Sequence, residues 1–479
     1  MSRRGTPALA SSMTGGAMTG GAMTSFAIDA EWVRGATAPR GVLAGSPPVW
    51  FTVTDAGAAI LDALEAGAPL PHGHESLTDR LLARGAIHPV PGAPVDAGLL
   101  TVVIPARVDE SGATALAGLV AQLTGDPGSP RVIVVDDSSD PPLRIPGADV
   151  VPHEGPHGPG PARNTGLARV TTPFVAFVDA DATIDAAALC RLASLIDHES
   201  TVLVAPRVAS AHAGRNGEYE TALSPLDLGP VRARVRPMSR ISYVPAAVVV
   251  ASTRAVRDLG GFDGDLRWGE DVDLVWRATE MGLVCRYEPS VRAEHSPRPT
   301  MRAFCVQRFR YGTSAAPLAR RHGTTVAPWR GSLPVLAVAV SCLTMWWQVA
   351  IPLTVAVWAW FVIGLGRTGL SGGARSRVAS RALVRGVGQT AHAIRRAWWP
   401  IIGLAAAVSL HASIALALSF TVPLVAGLVR HRPRGIPRWL ALRILDDLAY
   451  GAGLWWGAIV GREARCLVPV VSVRPARVG

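Results

Sequence analysis

The chain contains no lysine: all 47 of its basic residues are arginine, and they are unevenly placed. From Gly331 onward 16 arginines face three acids, Asp446, Asp447 and Glu463, which leaves 31 basic against 33 acidic residues in 1–330. The formal excess of +11 therefore belongs to the tail, where it lies beside long apolar runs, and that combination points to a membrane surface. No zinc-finger spacing and no basic base-reading helix occurs, so nucleic acid is not an expected partner. Cysteine is scarce: Cys190, Cys285, Cys305, Cys342 and Cys466 lie far apart without a C-x-x-C, which argues against a disulfide framework or a zinc site and for a reducing compartment. No apolar core follows Arg3 and Arg4, so a cleaved signal peptide is not expected and the large domain should stay in the cytoplasm. At 479 residues, 49% hydrophobic and a mean hydropathy of +0.27, the chain has room for two or three domains and is apolar for a wholly soluble protein.

The most informative stretch is Phe174-Val175-Ala176-Phe177-Val178-Asp179-Ala180-Asp181, an apolar run that ends in two carboxylates one residue apart. The run reads as a buried strand, and the period of two puts Asp179 and Asp181 on one face beyond its end. Hard oxygen ligands there suit Mg²⁺ or Mn²⁺ bound together with phosphate oxygens. Taken alone, a D-x-D is equally a solvated turn. The remainder of the chain decides between the two.

Residues 1–25 carry the near-repeat Met13-Thr-Gly-Gly-Ala-Met18-Thr-Gly-Gly-Ala-Met23, with nothing to bury, and are expected to be a disordered tail in which Met18 or Met23 is an alternative start. Residues 26–90 form a small unit: a strand at Val49–Val53, Thr54 as N-cap of a helix with Ile60, Leu61 and Leu64 on one face, and a second helix over Ser76–Arg84. This order resembles a truncated PqqD-like winged-helix unit, a peptide-recognition element; a plain accessory α+β cap fits the same pattern. A Pro91–Pro94 linker leads to a larger α/β unit over 99–325, in which strands at Leu99–Ile104, Arg131–Val135 and Phe174–Val178 alternate with helices at Ala115–Leu123 and Ala162–Val170. That alternation implies a parallel sheet of the α/β class with ligands at the carboxyl ends of the strands. At those ends stand Asp136-Asp137-Ser138-Ser139-Asp140, which reads as a nucleoside contact or as a turn cluster, and the Gly-rich helix entry Gly158–Gly166 with Arg163 and Asn164, which reads as an anion-facing or a structural loop.

Six segments in order, VVIPAR, VVDDSSD, GPARNTGL, FVDADA, YVPAAVVV and GGFDGDLRWGEDVDLVWR, followed by His295, resemble the inverting family-2 glycosyltransferases of the GT-A fold over about Thr101 to His295. The resemblance implies that Asp137 contacts uracil, that Asp179 and Asp181 hold the divalent metal on the diphosphate with His295 completing the shell, and that Asp271 is the general base. It further implies a donor site drawn from Pro105, Arg107, Asp137, Arg163, Asn164, Asp179, Trp268, Glu270, Arg308 and Arg310. Asp271 can also be argued from the residues: a helix start stabilises it as the anion, whereas crowding by Glu270 and Asp273 raises its proton affinity. One base and one departing diphosphate suffice for inversion, and Trp268 offers a flat face to a sugar. Gln307-Arg308-Phe309-Arg310-Tyr311 is similar to the Q-x-x-R-W segment of processive membrane synthases, with Tyr311 in place of Trp.

Tyr219-Glu220, Ser224–Pro230, Arg236–Pro245 and Tyr311–Ala319 narrow the resemblance to a branch that decorates a peptide-derived redox cofactor, which implies β-1,4-linked glucose taken from UDP-glucose. The rival readings are transfer to a polyprenyl phosphate or growing polysaccharide, and a binding scaffold that has lost catalysis. In the membrane-associated region, 331–460, the uncharged runs Gly331–Gly366 and Ala397–Val429 are each flanked by arginines, so two helical hairpins turning near Gln348 and His411 would keep both basic clusters on the cytoplasmic side of the cell membrane. Leu440–Ile459 reads as an amphipathic or weakly spanning helix, and 461–479 as a tail.

Overall fold

A computed structural model describes residues 25–126, 128–196, 200–211 and 214–472. The expected disordered tail and alternative starts lie outside the described residues, apart from Ser25. The small amino-terminal unit forms as its sequence dictates. Helix Asp55–Ala66 starts where Thr54 accepts a hydrogen bond from Gly57 N–H and stops at Gly67, whose φ of 63° only glycine adopts without strain. It packs with helix Glu75–Arg84 on a three-stranded antiparallel sheet, 33–34, 41–44 and 49–52, around Leu61, Leu81 and Ile87. Strand 49–52 is an edge of that sheet.

The unit is anchored to the large domain by buried charge. Arg240 donates to both carboxylate oxygens of Asp29 at 3.1 Å, and His88 stands 3.2 Å from the same group. Burial alone would raise the Asp29 carboxyl, but His88 and Arg240 hold it at about 2.

The large domain is a nine-stranded mixed sheet in the order 182–183, 284–295, 201–210, 248–252, 174–178, 100–106, 131–136, 149–152, with 233–235 added against 284–295. The four strands 100–106, 131–136, 149–152 and 174–178 run parallel, so their carboxyl ends share one edge of the sheet. The apolar runs are buried on both faces: Val103, Ile133, Val135 and Phe177 pack under helix Pro159–Arg169, and Val102, Ile104, Val134 and Val178 under Glu110–Thr124 and Ala186–Ala193.

The carboxyl-terminal region contains two helical hairpins. Leu333–Leu343 turns at Thr344–Trp346 into Trp347–Gly364, and Trp399–Ala406 turns at Ala407–Ser409 into Leu410–His431. The hairpins share a cluster of Leu343, Ala391, Ile394 and Ala415, and their tips meet where Trp346 lies edge-on to His411 at 6.4 Å. Two helices, Trp347–Arg367 and Leu410–His431, are long and apolar enough to cross a membrane, and little of either is buried.

The last helix, Ile436–Val460, departs from the amphipathic-or-spanning expectation. It is not among the helices with spanning composition and instead lies along Met301–Thr313, backbone on backbone, because Gly312 meets Tyr450 and Gly453 meets Phe309. Its two acids are buried: Asp446 accepts from Tyr219 Oη (2.9 Å) and Arg308 (3.2 Å), and Asp447 accepts from Arg395 (2.8 Å) and pairs with Arg443 (3.0 Å). Beyond it, strand 470–472 pairs in parallel with 330–332.

A β-carbon on Gly453 would lie 1.9 Å from the Phe309 carbonyl oxygen. Gly453→Ala should therefore lift the last helix, lower stability by about 1–3 kcal/mol and open the 432–435 connection to protease; an unchanged melting temperature and digestion pattern would show that the contact carries no such weight.

Candidate active site

The carboxyl ends of the parallel strands open into a cleft with a cavity of about 1510 Å³. One end is lined by Pro105, Arg107, Asp137 and Gly158, the middle by Asp179, Asp181 and Asp271, and the far end by residues of the carboxyl-terminal helices.

Arg163 ties the middle together. From helix Pro159–Arg169 its buried guanidinium donates to Asp179 at 2.6 Å and to Glu270 at 2.8 Å, and lies 5.2 Å from the Phe262 ring centre. The end of strand 174–178 is thereby fixed to the start of helix Glu270–Glu280. Asp181 has a different set of partners, 3.1 Å from His295 Nε2 and 3.2 Å from Arg298. Strand 284–295 brings His295 there, since Ala182 pairs with His295 in the sheet register. Burial disfavours charge on both Asp181 and His295, but their contact outweighs it, lowering the carboxyl and raising the imidazole.

Asp271 lines the cleft and is half-buried; its carboxylate accepts from Ala246 N–H at 3.1 Å and Val272 N–H at 2.8 Å. Burial raises its proton affinity, while those two N–H groups and Arg163 pull against the rise. The expected crowding is half right. Glu270 is its charged neighbour, pushed up to about 7 by burial and by the Asp271 charge. Asp273 instead turns away to Arg277 (2.7 Å) and His322 (3.0 Å).

Asp137 clasps a loop. Its oxygens accept from His157 N–H and Gly158 N–H, both at 2.8 Å, and lie 3.0 Å from His153 Nδ1. Asp137, His153 and His157 bring three metal-capable atoms within 4.8 Å of one another. Both Asp137 oxygens and both His153 nitrogens already have protein partners, Thr165 Oγ1 taking His153 Nε2 at 2.8 Å. Asp179, Asp181 and His295 form no cluster that tight among the described residues; their donor set, two carboxylates and an imidazole on the cleft wall, nevertheless suits a divalent cation.

Two residues expected at the donor do not line the cleft. Asn164 exchanges hydrogen bonds with the Phe262 backbone, 2.7 Å from its amide to the carbonyl and 2.9 Å from the Phe262 N–H to its oxygen, and so locks the 259–269 turn. Arg308 is buried, bonded to Glu220 at 2.8 Å and to Asp446. Arg310 and Trp268 do line it, the guanidinium 5.1 Å from the indole centre. Arg298, which meets Asp181, was not anticipated, nor were Tyr243, His392, Arg396 and Tyr450; the last three come from helices whose composition spoke only of membrane.

The model described as "Glycosyl transferase family 2" matches residues 101–236, and that described as "Glycosyl transferase family group 2" matches 174–370. Pre-mycofactocin glycosyltransferase of Mycobacterium tuberculosis is 38% identical over 422 residues, covering 82% of this chain and 86% of that one. Among solved structures, a mannosyltransferase of Pyrobaculum calidifontis with GDP-Man and Mn²⁺ is 16% identical with a TM-score of 0.40, over 84% of this chain and 99% of that one. Residues 1–349 of S. aureus TarS with UDP-GlcNAc are 15% identical with a TM-score of 0.38, over 76% and 92%. With that identity over more than four-fifths of both chains, this chain belongs to the family-2 glycosyltransferases, enzymes of the GT-A fold, alongside pre-mycofactocin glycosyltransferase.

Proposed function

We propose that the enzyme transfers glucose from UDP-glucose, with inversion, onto the peptide-derived precursor of mycofactocin and builds a β-1,4-glucan on it. The observation that carries the transfer chemistry is the joint presence, in one cleft, of the Asp179–Asp181 pair and the half-buried Asp271. Asp179, Asp181 and His295 would hold a Mn²⁺ or Mg²⁺ ion, which supplies charge neutralisation for the departing diphosphate. Asp271, raised by burial yet steadied by two backbone N–H groups, takes the proton of the attacking acceptor hydroxyl. Arg163 keeps Asp179 in place and offsets the charge of Glu270 beside the base. Asp137 holds the loop against which the uracil would lie, and Trp268 offers the sugar a face. The acceptor assignment draws on the mycobacterial relative.

The amino-terminal unit contributes no residue to the cleft lining. A role in acceptor capture would therefore use its surface, and edge strand 49–52 suits an added peptide strand. We further infer attachment to the cytoplasmic leaflet of the cell membrane by the two hairpins. Their first legs, 11 and 8 residues, reach only about 16 and 12 Å, well short of the roughly 30 Å of hydrocarbon. The tips expose Trp346, Trp347, Val408 and Leu410, and arginines flank both hairpins, a pattern suited to shallow insertion into an anionic surface.

Asp271→Asn should keep the fold and UDP affinity and reduce transfer at least 10³-fold, whereas Asp179→Ala should chiefly weaken Mn²⁺-dependent UDP binding; near-normal turnover by Asp271→Asn removes the base assignment. Because a base must be ionised and burial raises Asp271, transfer by the wild type should fall on acidification, starting at a higher pH than an unperturbed aspartate would dictate. Cysteine labelling at Arg385 and Arg432 should proceed only from the cytoplasmic side, and labelling of either from outside intact cells would mean single crossings. Removing residues 26–90 should spare UDP-glucose hydrolysis and raise the KM for the peptide-derived acceptor; a folded truncation with unchanged KM would reduce the unit to a cap.

A further inference from the structure

The far end of the cleft is built by elements outside the strands that hold donor and metal. Tyr243 comes from the loop before strand 248–252, Tyr450 from the last helix, and His392 from helix Gly372–Ala393; all three line the cavity. The phenol oxygens of Tyr243 and Tyr450 have no hydrogen-bond partner among the described residues, and neither is sealed away from the cavity. Burial and the neighbouring Tyr450 and Asp271 push Tyr243 up to about 12, so it keeps its proton. His392 Nδ1 accepts from Arg395 at 2.8 Å, which assigns the ring proton to Nε2, itself without a partner among the described residues. Partial desolvation in the cavity wall and the surrounding Arg396, Arg395 and Arg443 lower the proton affinity of that imidazole, though the residue itself is exposed.

The two arginines that flank His392 on this side, Arg395 and Arg396, are already matched. Arg396 leans on the Tyr450 ring at 4.1 Å and donates to Asp446 and Asp447 at 3.5 and 3.3 Å, and Arg395 is bonded to Asp447. Both arginines sit on a five-residue π turn, Ile394–Trp398, a local widening of the helix that is often found at functional sites. A phosphate would need an unmatched cation, whereas a neutral ligand rich in hydroxyls needs the hydroxyl and N–H groups that stand free here.

We propose that Tyr243, Tyr450 and His392 form an acceptor subsite for a neutral saccharide, the glucosyl end of the growing product, so that the carboxyl-terminal helices set acceptor specificity. The assignment deepens the glucan-building reading and rests on it. Tyr243 lies within electrostatic range of both Asp271 and Tyr450, so a saccharide held there sits beside the base.

The test uses the full chain with cellotetraose as probe. Calorimetry should detect cellotetraose binding to the wild type in the presence of UDP and Mn²⁺, weakened about 3- to 10-fold by each of Tyr243→Phe, Tyr450→Phe and His392→Ala. UDP affinity, UDP-glucose hydrolysis and melting temperature should be unchanged, and the KM for a singly glucosylated acceptor should rise in parallel. No cellotetraose binding to the wild type, or equal binding by a folded Tyr243→Phe/Tyr450→Phe double variant, overturns the subsite. Binding is read without turnover, so a wild type that binds cellotetraose but glucosylates no peptide-derived acceptor counts against the proposed function alone.

Discussion

Everything in the cleft depends on one buried arginine held between two carboxylates. Arg163, 3% exposed, reaches Asp179 and Glu270, which lie far apart in sequence. Three acids, Asp179, Glu270 and Asp271, converge there, and without an internal cation their repulsion and desolvation would drive the strand end and the helix start apart. Losing one partner of such a buried set typically costs about 3–5 kcal/mol. The rigidity of the site is therefore electrostatic before it is hydrophobic. Asn164, the next residue, extends the arrangement by locking the turn that leads into Trp268 and Glu270.

A second buried charge set extends the catalytic body beyond its sheet. Arg308 meets Glu220 and Asp446, and Arg395, Arg396 and Arg443 meet Asp447. Helices from four parts of the chain are thus pinned at one place, and the glycines of the last helix let backbones touch where side chains would keep them apart. Moving that helix into lipid would strip two carboxylates of their partners, a cost its apolar face could not offset. The Q-x-x-R segment takes part in this join: Arg308 looks inward to the network and Arg310 outward to the cleft.

The parallel strands, the cap at Thr54, the helix start beside Asp271 and the two hairpin turns were legible in the sequence because each rests on local information: apolar runs, cap chemistry and chain reversals. That Asp179, Asp181, Asp271 and His295 would meet in one cleft was legible for a similar reason, since they stand at the ends of elements whose direction the pattern predicts. Asn164 and Arg308 misled because a polar side chain next to a site residue looks the same in sequence whether it faces ligand or backbone. Tyr450 and His392 were invisible, since nothing local in an arginine-rich, apolar tail says that it folds back over a cleft. The pairing of Asp446-Asp447 with distant arginines was the one available signal, two acids surviving where almost every other charge is positive.

The placement of the π turn follows from these constraints taken together. It lies between the arginine-rich helix 372–393 and the second hairpin, so the segment that walls the far end of the cleft is continuous with the segment proposed to enter the membrane. Arg395 and Arg396 cannot act there as free surface charges, because Asp446 and Asp447 hold them inward. The arginines left for an anionic surface are those on the exposed face of the helix, such as Arg377 and Arg381. This stretch thus divides its charge by face, outward to the surface and inward to the protein's own acids, and the geometry of the cleft wall is fixed by buried pairs that screening at the outer face would leave intact.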